Sequence, residues 1–433
     1  MKIAMISEHA SPLALAGSVD SGGQNIYVAN VARQLHRAGH EVDVFTRRDR
    51  SLLPLVSEMD GIRVINVPAG PPRQLAKERL LPYMNEFADF LVPFFAQERR
   101  PYHLMHANFF MSGMVALKVK RALKIPVVTT FHALGRVRRI HQGDDDGFPD
   151  ERFAIEDELV RDSDAVIAEC PQDEIDLIKL YDADPERIEI VPCGFDVDEL
   201  TRVSKREARA ALGWSQDEFI VLQLGRIVQR KGIDNVIRGV GALQRDHGVS
   251  ARLYIVGGNS ESPNEIATPE IARLRGIAAH EQVAAQTTFV GRRGRSHLGL
   301  FYSAADVFVT TPWYEPFGIT PVEAMACGTP VIGADVGGIR YSVRDGETGW
   351  LVPPRDPAAL AARLAQLHAN PARARQMGEA GLARARAQFT WQGVAQSLEN
   401  VYRRVARLPQ PRERDDATAS AQGARSAVGG AYG

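Results

Sequence analysis

Cysteine is scarce in this chain: Cys170, Cys193 and Cys327 are the three that occur, and they lie far apart. None of them belongs to a C-x-x-C pair or a Cys/His pair with metal spacing, which argues against a disulfide framework and against a zinc site. Long apolar runs are also missing, since no stretch approaches the roughly 18 apolar residues of a membrane-spanning helix. The apolar run near the N-terminus is too short for a signal peptide. We therefore expect a cytoplasmic protein without a transmembrane segment.

An excess of charge of either sign is absent as well. The 52 basic and 53 acidic residues leave a formal net charge of -1, so no overall field would attract nucleic acid or an anionic membrane. An apolar content of 45% and a charged content of 24% are those of a globular protein. At 433 residues the chain is too long for one ordinary core, which predicts two domains.

The order of strand and helix patterns predicts an α/β fold. A buried strand over 2–7, a loop with Gly22 and Gly23, a helix and an alternating strand over 41–46 are the opening of a Rossmann-like, doubly wound domain. The same succession restarts with a strand over 219–224, which is again followed by a glycine-containing loop. The chain is therefore predicted to contain two Rossmann-like halves in tandem.

Three segments follow from this pattern. We predict an N-terminal domain over 1–200 and a C-terminal domain over 201–390, with the functional site in the cleft where the carboxyl ends of both sheets meet. The segment 409–433 is rich in Gly, Ser and Ala and has almost no large apolar residues, so it is predicted to be a disordered tail.

The stretch from Thr310 to Gly338 has the most informative local pattern. After a strand and a loop, Thr320 is predicted to cap a helix, with Pro321 at its first position and Glu323 completing a capping box. Glu315 and Glu323 then bracket a helix N-terminus, which suits a phosphate, while carboxylates beside it suit the hydroxyls of a sugar or ribose. The alternative is that Glu323 is only a cap and Glu315 an ordinary loop carboxylate.

Together, E-P-F-G and E-A-M-A-C-G-T-P in this stretch resemble the E-x7-E segment of the family-four retaining glycosyltransferases, which have the GT-B fold. The resemblance covers roughly 1–405 and implies two Rossmann-like domains around a cleft, with a helix over 391–408 that crosses back to the first domain. It also implies transfer of a hexose, with retention, from a nucleotide diphosphate sugar to a hydroxyl acceptor. UDP-glucose or a close relative is the expected donor.

The resemblance assigns the donor-binding residues. Arg226 and Lys231, in L-G-R-I-V-Q-R-K-G, match residues that bind the donor diphosphate, although as isolated charges they would be read as a solvated loop. His132 matches a histidine beside the donor sugar, and its alternative is a packed core histidine. With Glu315 these form the predicted catalytic set. The wider donor site is predicted to comprise Gly22, Gly23, Arg226, Lys231, Arg293, Glu315, Phe317, Gly318 and Glu323.

The acceptor is less defined. A basic pocket for a phosphorylated acceptor matches positions in sucrose-phosphate synthases and in inositol-phosphate N-acetylglucosaminyltransferases; the alternative is a surface charge run. Phe109 and Ala133 depart from the second group, which has Tyr and Thr there, so the acceptor's identity stays open. The acceptor-binding residues are predicted to be His9, Gln24, Asn25, Lys77, Arg138 and Arg152.

No metal or other cofactor is expected. The run Asp144-Asp145-Asp146 contains D-x-D, but it stands in a polar glycine loop and is interpreted as flexible. Two further functions remain open: a sugar-nucleotide epimerase of the same architecture, and a non-catalytic nucleotide-sugar-binding protein. Neither the sequence nor the resemblance decides the oligomeric state, and a homo-oligomer is left open.

Overall fold

The computed structural model describes residues 1–14 and 22–409, which form two β-sheets flanked by helices. The strands of the first sheet are β1 to β8: Lys2–Ile6, Glu41–Arg47, Val56–Met59, Ile62–Val67, Leu104–Asn108, Val127–Thr130, Ala165–Ala168 and Ile188–Ile190. Those of the second sheet are β9 to β14: Phe219–Leu224, Ala251–Val256, Thr287–Gly291, Val307–Thr310, Val331–Ala334 and Gly349–Val352.

The α-helices alternate with these strands along most of the chain. In order, α1 to α15 are Gly23–Arg37, Met84–Gln97, Phe110–Leu123, Gly135–Gln142, Glu151–Asp162, Pro171–Tyr181, Lys205–Leu212, Ile233–His247, Glu270–His280, Leu298–Ala304, Ile319–Ala326, Gly337–Ser342, Pro357–Ala369, Pro371–Gln388 and Trp391–Val405. None of the helices in the described part of the chain is long and apolar enough to cross a membrane.

Both sheets are parallel apart from the edge strand β3, which pairs antiparallel with β4. Each sheet buries its two faces against helices. In β1, for example, Ile3 and Met5 pack in the cluster that contains α1, whereas Ala4 and Ile6 pack in the cluster that contains α2 and α3. Burial on both faces is the reason that these strands are short and almost wholly apolar. The predicted fold class, two Rossmann-like α/β units, is confirmed.

The strand order fixes where a ligand site is expected. In the first sheet the order is β3-β4-β2-β1-β5-β6-β7-β8, so the direction of winding reverses between β1 and β5. In the second sheet the order is β11-β10-β9-β12-β13-β14, and the reversal falls between β9 and β12. Loops at the carboxyl ends of strands beside such a reversal diverge and leave a crevice.

The last helix joins the two units. After the second sheet, α15 packs beside α1, and the hydroxyl of Tyr402 lies 2.5 Å from Nδ1 of His106 on β5. The link between the sheets runs alongside: the N–H of Phe195 donates to the carbonyl of Phe389 at 2.8 Å. A Cβ at Gly194 would lie 2.8 Å from the backbone nitrogen of Trp391. The backbone of the link between the sheets is therefore in close contact with the backbone at the start of α15.

Several local predictions were wrong. The helix α11 begins at Ile319 with Gly318 as its N-cap, so Thr320 does not cap it and Glu323 does not complete a capping box. The Asp144–Asp146 run overlaps a 3-10 turn over Gly143–Asp145, and Asp146 is buried; its predicted flexibility stays a prediction. The predicted domain boundaries stay predictions, and the predicted tail lies outside the described residues apart from Pro409.

Candidate functional site

Two loops of the second sheet, those that follow β9 and β12, are locked together at the strand-order reversal. The hydroxyl of Thr311 donates to the carbonyl of Gly232 at 2.9 Å, and the N–H of Trp313 donates to the carbonyl of Arg230 at 2.9 Å. Gly232 has a φ of +63°, and a Cβ there would lie 1.9 Å from the carbonyl oxygen of Thr311. Only glycine permits this approach.

The lock brings Lys231 and Glu315 into direct contact. The ammonium of Lys231 donates to Oε2 of Glu315, and an Arg230 nitrogen lies 3.9 Å from the same oxygen. Burial disfavours the charged form of both groups and lowers the pKa of Lys231. Burial also opposes ionisation of Glu315, but the charges of Lys231, Arg230 and Arg226 outweigh it and hold the pKa of this carboxyl below its ordinary value.

Two glycines at the start of α12, Gly337 and Gly338, pack closely against the loop that carries Glu315, a role that was not predicted from the sequence. The N–H of Gly338 lies 3.1 Å from the carbonyls of both Glu315 and Pro316. A Cβ at Gly337 would overlap the Glu315 carbonyl, and one at Gly338 would overlap the backbone of Phe317. The D-V-G-G sequence after β13 was the available signal, because paired glycines at the start of a helix often permit such close contact.

Across the cleft, the start of α1 faces this cluster. A Cβ at Gly22 would lie 3.9 Å from an Arg226 nitrogen, and one at Gly23 would lie 3.5 Å from the side chain of Ile319. Arg226 itself is solvent-exposed. The positive N-terminal end of α1 therefore lies beside Arg226 and the start of α11.

Glu323 lies apart from these groups. Its side chain is 2% exposed, and its oxygens accept from the hydroxyl of Tyr302 at 2.8 Å and from Arg295 at 3.1 Å. Arg295 also donates to Glu199 at 2.7 Å. Burial acts against the charge of Arg295, but the two glutamates prevail and raise its pKa.

The neighbouring arginine has a different position. Arg293, which was predicted at the nucleotide rim, donates to the carbonyl of Glu261 at 2.7 Å. Arg295 occupies the place beside Glu323 and was missed, because the run V-G-R-R-G-R offers three arginines that no sequence rule distinguishes.

Two residues that directly follow strands of the first sheet have positive φ angles, a backbone conformation that is rare outside glycine. His132 follows β6 with a φ of +58°, and Phe109 follows β5 with a φ of +85°. Both ring nitrogens of His132 are engaged: Nδ1 lies 2.8 Å from Glu169 and Nε2 lies 3.0 Å from Oδ1 of Asn108. The ring of Tyr27 packs edge-on against it. Such outliers cluster at functional sites, where surrounding contacts hold them in place.

Four of the predicted acceptor residues gather around two aromatic rings. His9 lies 5.0 Å from the ring of Phe109, and the guanidinium of Arg152 lies 5.0 Å from that ring and 4.8 Å from the ring of Phe148. Arg138 and Lys77 approach the ring of Phe148 at 5.1 and 5.8 Å. The structure therefore brings these four side chains together around Phe109 and Phe148.

Each of these four side chains already has a carboxylate partner. Lys77 pairs with Glu78 at 2.8 Å, Arg138 with Asp146 at 2.8 Å and Arg152 with Glu156 at 2.7 Å, while His9 pairs with Glu8 at 2.6 Å. Arg152 is 1% exposed, and its NH1 group has no hydrogen-bond partner within residues 1–14 and 22–409. A buried donor of this kind has capacity left for a ligand oxygen.

The remaining two acceptor predictions fall on residues that serve the protein's own structure. Gln24 donates to the hydroxyl of Ser7 and to the carbonyl of Asn108, both at 3.1 Å. Asn25 accepts from the N–H of Gly22 at 3.0 Å and donates to the carbonyl of Ser11 at 3.0 Å. Asn25 therefore fixes the first turn of α1, and both of its amide atoms are occupied.

The described ranges 1–14 and 22–409 contain no group of three or more His, Cys, Asp or Glu side chains that could hold a metal ion. The D-x-D aspartate Asp146 is the buried partner of Arg138.

Two α/β units whose switch-point loops face one cleft are the architecture of the GT-B glycosyltransferases, and the chain belongs to the family-four members of that class. The model described as Glycosyltransferase Family 4 matches residues 21–199, and the model described as Glycosyl transferases group 1 matches residues 204–384.

Individual relatives agree over nearly the whole length. The chain is 36% identical to the D-inositol 3-phosphate glycosyltransferase of Corynebacterium diphtheriae, covering 94% of this chain and 96% of that one. Among solved structures, the sucrose-phosphate synthase of Thermosynechococcus elongatus matches with a TM-score of 0.85 and 34% identity, covering 93% of this chain and 98% of that one. WaaG, a glycosyltransferase of lipopolysaccharide biosynthesis, shares the fold at 17% identity, with a TM-score of 0.68 and coverage of 93% and 99%.

Proposed function

We propose that this glycosyltransferase moves a hexose, with retention of configuration, from UDP-glucose or a close relative to a hydroxyl acceptor. The observation that carries the proposal is the crevice in which Arg226, Arg230 and Lys231 converge on one carboxylate, Glu315. Three cations against one anion leave an excess of positive charge, and this excess suits the doubly negative diphosphate of a nucleotide sugar.

In this proposal Arg226 and Lys231 neutralise the charge that grows on the departing nucleoside diphosphate. At about 4 Å and an effective dielectric of about 20, each such contact is worth roughly 4 kcal/mol before desolvation. Glu315 accepts hydrogen bonds from the sugar hydroxyls, with the backbone N–H groups around Phe317 and Gly318 beside it. Glu323, whose oxygens already accept from Tyr302 and Arg295, is assigned to the ribose hydroxyls through its remaining acceptor capacity.

Retention is assigned to attack on the same face from which the leaving group departs. The bond from the anomeric carbon to the phosphate oxygen breaks, the bond to the acceptor oxygen forms on that face, and the acceptor proton passes to the departing phosphate oxygen. The nearby carboxylates are already engaged, Glu315 by Lys231, Glu169 by His132 and Glu8 by His9. None of these three is therefore assigned as a covalent nucleophile.

We also propose that the acceptor carries a phosphate. The two relatives described above at more than 30% identity both have names that include a phosphorylated compound. Lys77, Arg138 and Arg152 converge around Phe148, and Arg152 has an unused buried donor. Because the diphosphate would be held by side-chain cations and the end of α1, we propose transfer without a divalent metal ion.

The test is nucleoside diphosphate release from UDP- and GDP-hexoses, with sugar phosphates, polyol phosphates and their dephosphorylated forms as acceptors, with and without EDTA. Proton NMR of the product gives the anomeric configuration. Product analysis with donor alone identifies an epimerase, which would give a new sugar nucleotide.

Variants of the crevice test the assignment. Glu315→Gln and Lys231→Ala should each lose most of the transfer activity, while Lys118→Ala, which removes an exposed ion pair with Asp89, should retain it. Glu315→Gln should still bind UDP, because Lys231 is then free for the diphosphate. Near-normal turnover in either crevice variant would overturn the proposal.

A further inference from the structure

The contact between Lys231 and Glu315 raises a problem for donor binding. In the proposed function, Lys231 binds the diphosphate and Glu315 binds the sugar hydroxyls, yet here the two side chains bind each other. Glu315 is 12% exposed. Moving Lys231 to the diphosphate would therefore leave a nearly buried carboxylate without its contacting cation, which is costly unless another cation replaces it.

Arg230 is the group placed to replace it. One of its guanidinium nitrogens, NH1, is 3.9 Å from the Glu315 oxygen that Lys231 occupies. That nitrogen is buried and has no hydrogen-bond partner in the described part of the chain. Buried donors without a partner are rare in folded proteins. This nitrogen would have a partner if Arg230 bound Glu315 when the nucleotide sugar is present and Lys231 has moved to the diphosphate.

The guanidinium of Arg230 is held near its present place. It lies 5.2 Å from the centre of the Tyr314 ring, and its backbone carbonyl is tied to Trp313. The Tyr314 ring is in turn stacked on His141 of α4 at 5.0 Å, and its hydroxyl accepts from Gln142. To reach hydrogen-bond distance from Glu315, the Nη1 atom has to move by about 1 Å, and we infer that the Arg230 side chain makes this movement by rotation.

We propose that Arg230 is a positioning residue that takes over Glu315 when the donor diphosphate draws Lys231 away. This inference rests on the proposed function. The replacement keeps Glu315 ionised and correctly aimed at the sugar hydroxyls, while Lys231 becomes available to the diphosphate without a loss of charge balance in the crevice.

The consequence is a difference in proton uptake. Without Arg230, a donor that captures Lys231 leaves Glu315 with only the more distant Arg226, and a buried carboxylate in that situation takes up a proton. The other charged or titratable groups that line the same pocket are His141 on α4, Asp173, Asp176 and Lys179 on α6, Tyr314, and the Asp335–Arg340 pair at α12, and all of them are also present in the variant.

The experiment is isothermal titration calorimetry of the full chain with UDP-glucose at pH 7.5, in Tris and in HEPES, whose ionisation enthalpies differ. The donor has no group that titrates near this pH. GDP-glucose is the second probe. For Arg230→Met we expect binding at least about tenfold weaker than in the wild type, and additional uptake of up to about one proton.

Three further variants make the result specific. Arg230→Lys should restore the affinity and remove the extra proton uptake. Arg238→Met, which removes a half-exposed arginine paired with Asp234 on α8, should bind as the wild type does. In the background of Glu315→Gln, Arg230→Met should cause no further proton uptake, because the carboxylate is absent.

The outcomes separate the two proposals. If the wild type binds the donor and Arg230→Met binds it equally well with unchanged proton uptake, the role of Arg230 is refuted while the proposed function stands. If Arg230→Met is weaker but takes up no extra proton, the effect does not act through Glu315 and the inference is likewise refuted. If the wild type binds neither donor, both proposals fall.

Discussion

Replacing Gly232 with alanine tests whether the close contact between the loops after β9 and β12 positions Lys231 beside Glu315. The residue has a φ of +63°, and an L-residue there costs about 1–2 kcal/mol of strain. The added Cβ would also lie 1.9 Å from the Thr311 carbonyl oxygen, so one of the two backbones must move. Overpacking of this kind costs about 1–3 kcal/mol further.

The displacement falls directly beside Lys231. A shift of about 1 Å in a substrate-positioning group costs about 100-fold in rate, so we expect kcat/KM to fall by roughly that factor. The assays are nucleoside diphosphate release for activity and urea unfolding for stability. We expect both kcat/KM and the unfolding free energy to fall. The fall in kcat/KM should be larger than the fraction of unfolded molecules can explain.

Gly248 provides a matched control. Its φ of +66° is nearly the same, but a Cβ there would meet nothing within 4 Å. Gly248→Ala should therefore show the strain alone, about 1–2 kcal/mol of stability, with unchanged kcat/KM. If Gly232→Ala matches Gly248→Ala in both stability and activity, the close approach to Thr311 does not position Lys231 and the argument from the lock is refuted.

Two other predictions concern buried charge and stability. Burial and the nearby His132 lower the pKa of His106 to about 3, so below its unfolded pKa of about 6.5 the unfolded chain binds a proton that the folded chain does not. As the pH is lowered below about 6.5, the unfolding free energy should then fall by up to about 1.4 kcal/mol per pH unit. Urea unfolding at pH 7 and pH 5 should show a smaller fall for His106→Gln than for the wild type. An equal fall in both proteins would mean that His106 is protonated in the folded state. Arg295→Met should lower the unfolding free energy by about 3 kcal/mol, because it leaves the buried Glu323 carboxylate without its cationic partner. Arg293→Met should change the unfolding free energy little. Equal effects of the two variants in urea unfolding would contradict the placement of Arg295.

The fold was largely predictable because its signals are local. Short apolar strands, glycine loops and amphipathic helices recur in an order that fits two parallel sheets, and the predicted positions agree with most of the strands. The antiparallel edge strand β3 was missed, since an edge strand is half exposed and lacks a continuous apolar run. Helix α4 was missed for a related reason: its charged residues bury little surface of their own.

The start of α11 shows where local rules fail. Thr320 and Pro321 match the preferred residues of a helix start, but the helix begins earlier, at Ile319. The cause is tertiary: Gly318 adopts a φ of +87° where a Cβ would press on Ile339 and on Glu315. Contacts with residues distant in sequence override a capping preference worth only about 1 kcal/mol.

Charge pairing was the least predictable property of the site. The resemblance indicated which cations would belong to the site, but their partners come from elsewhere in the fold, as with Lys231 and Glu315, or Arg138 and Asp146. Long-range pairs of this kind depend on the relative placement of loops, which a single sequence does not report.

These pairs explain how several cations can gather in one cleft. Arg226, Arg230 and Lys231 repel one another, and Glu315 offsets part of that repulsion. In the proposed function a diphosphate takes the place of the carboxylate as the partner of Lys231, so donor binding would exchange one ion pair for another and would not create a new one from separated charges. Such an exchange would lower the net affinity for the donor, but Glu315 would become available to the sugar only after the diphosphate has arrived. The same event that binds the leaving group would then direct the carboxylate to the reacting part of the donor.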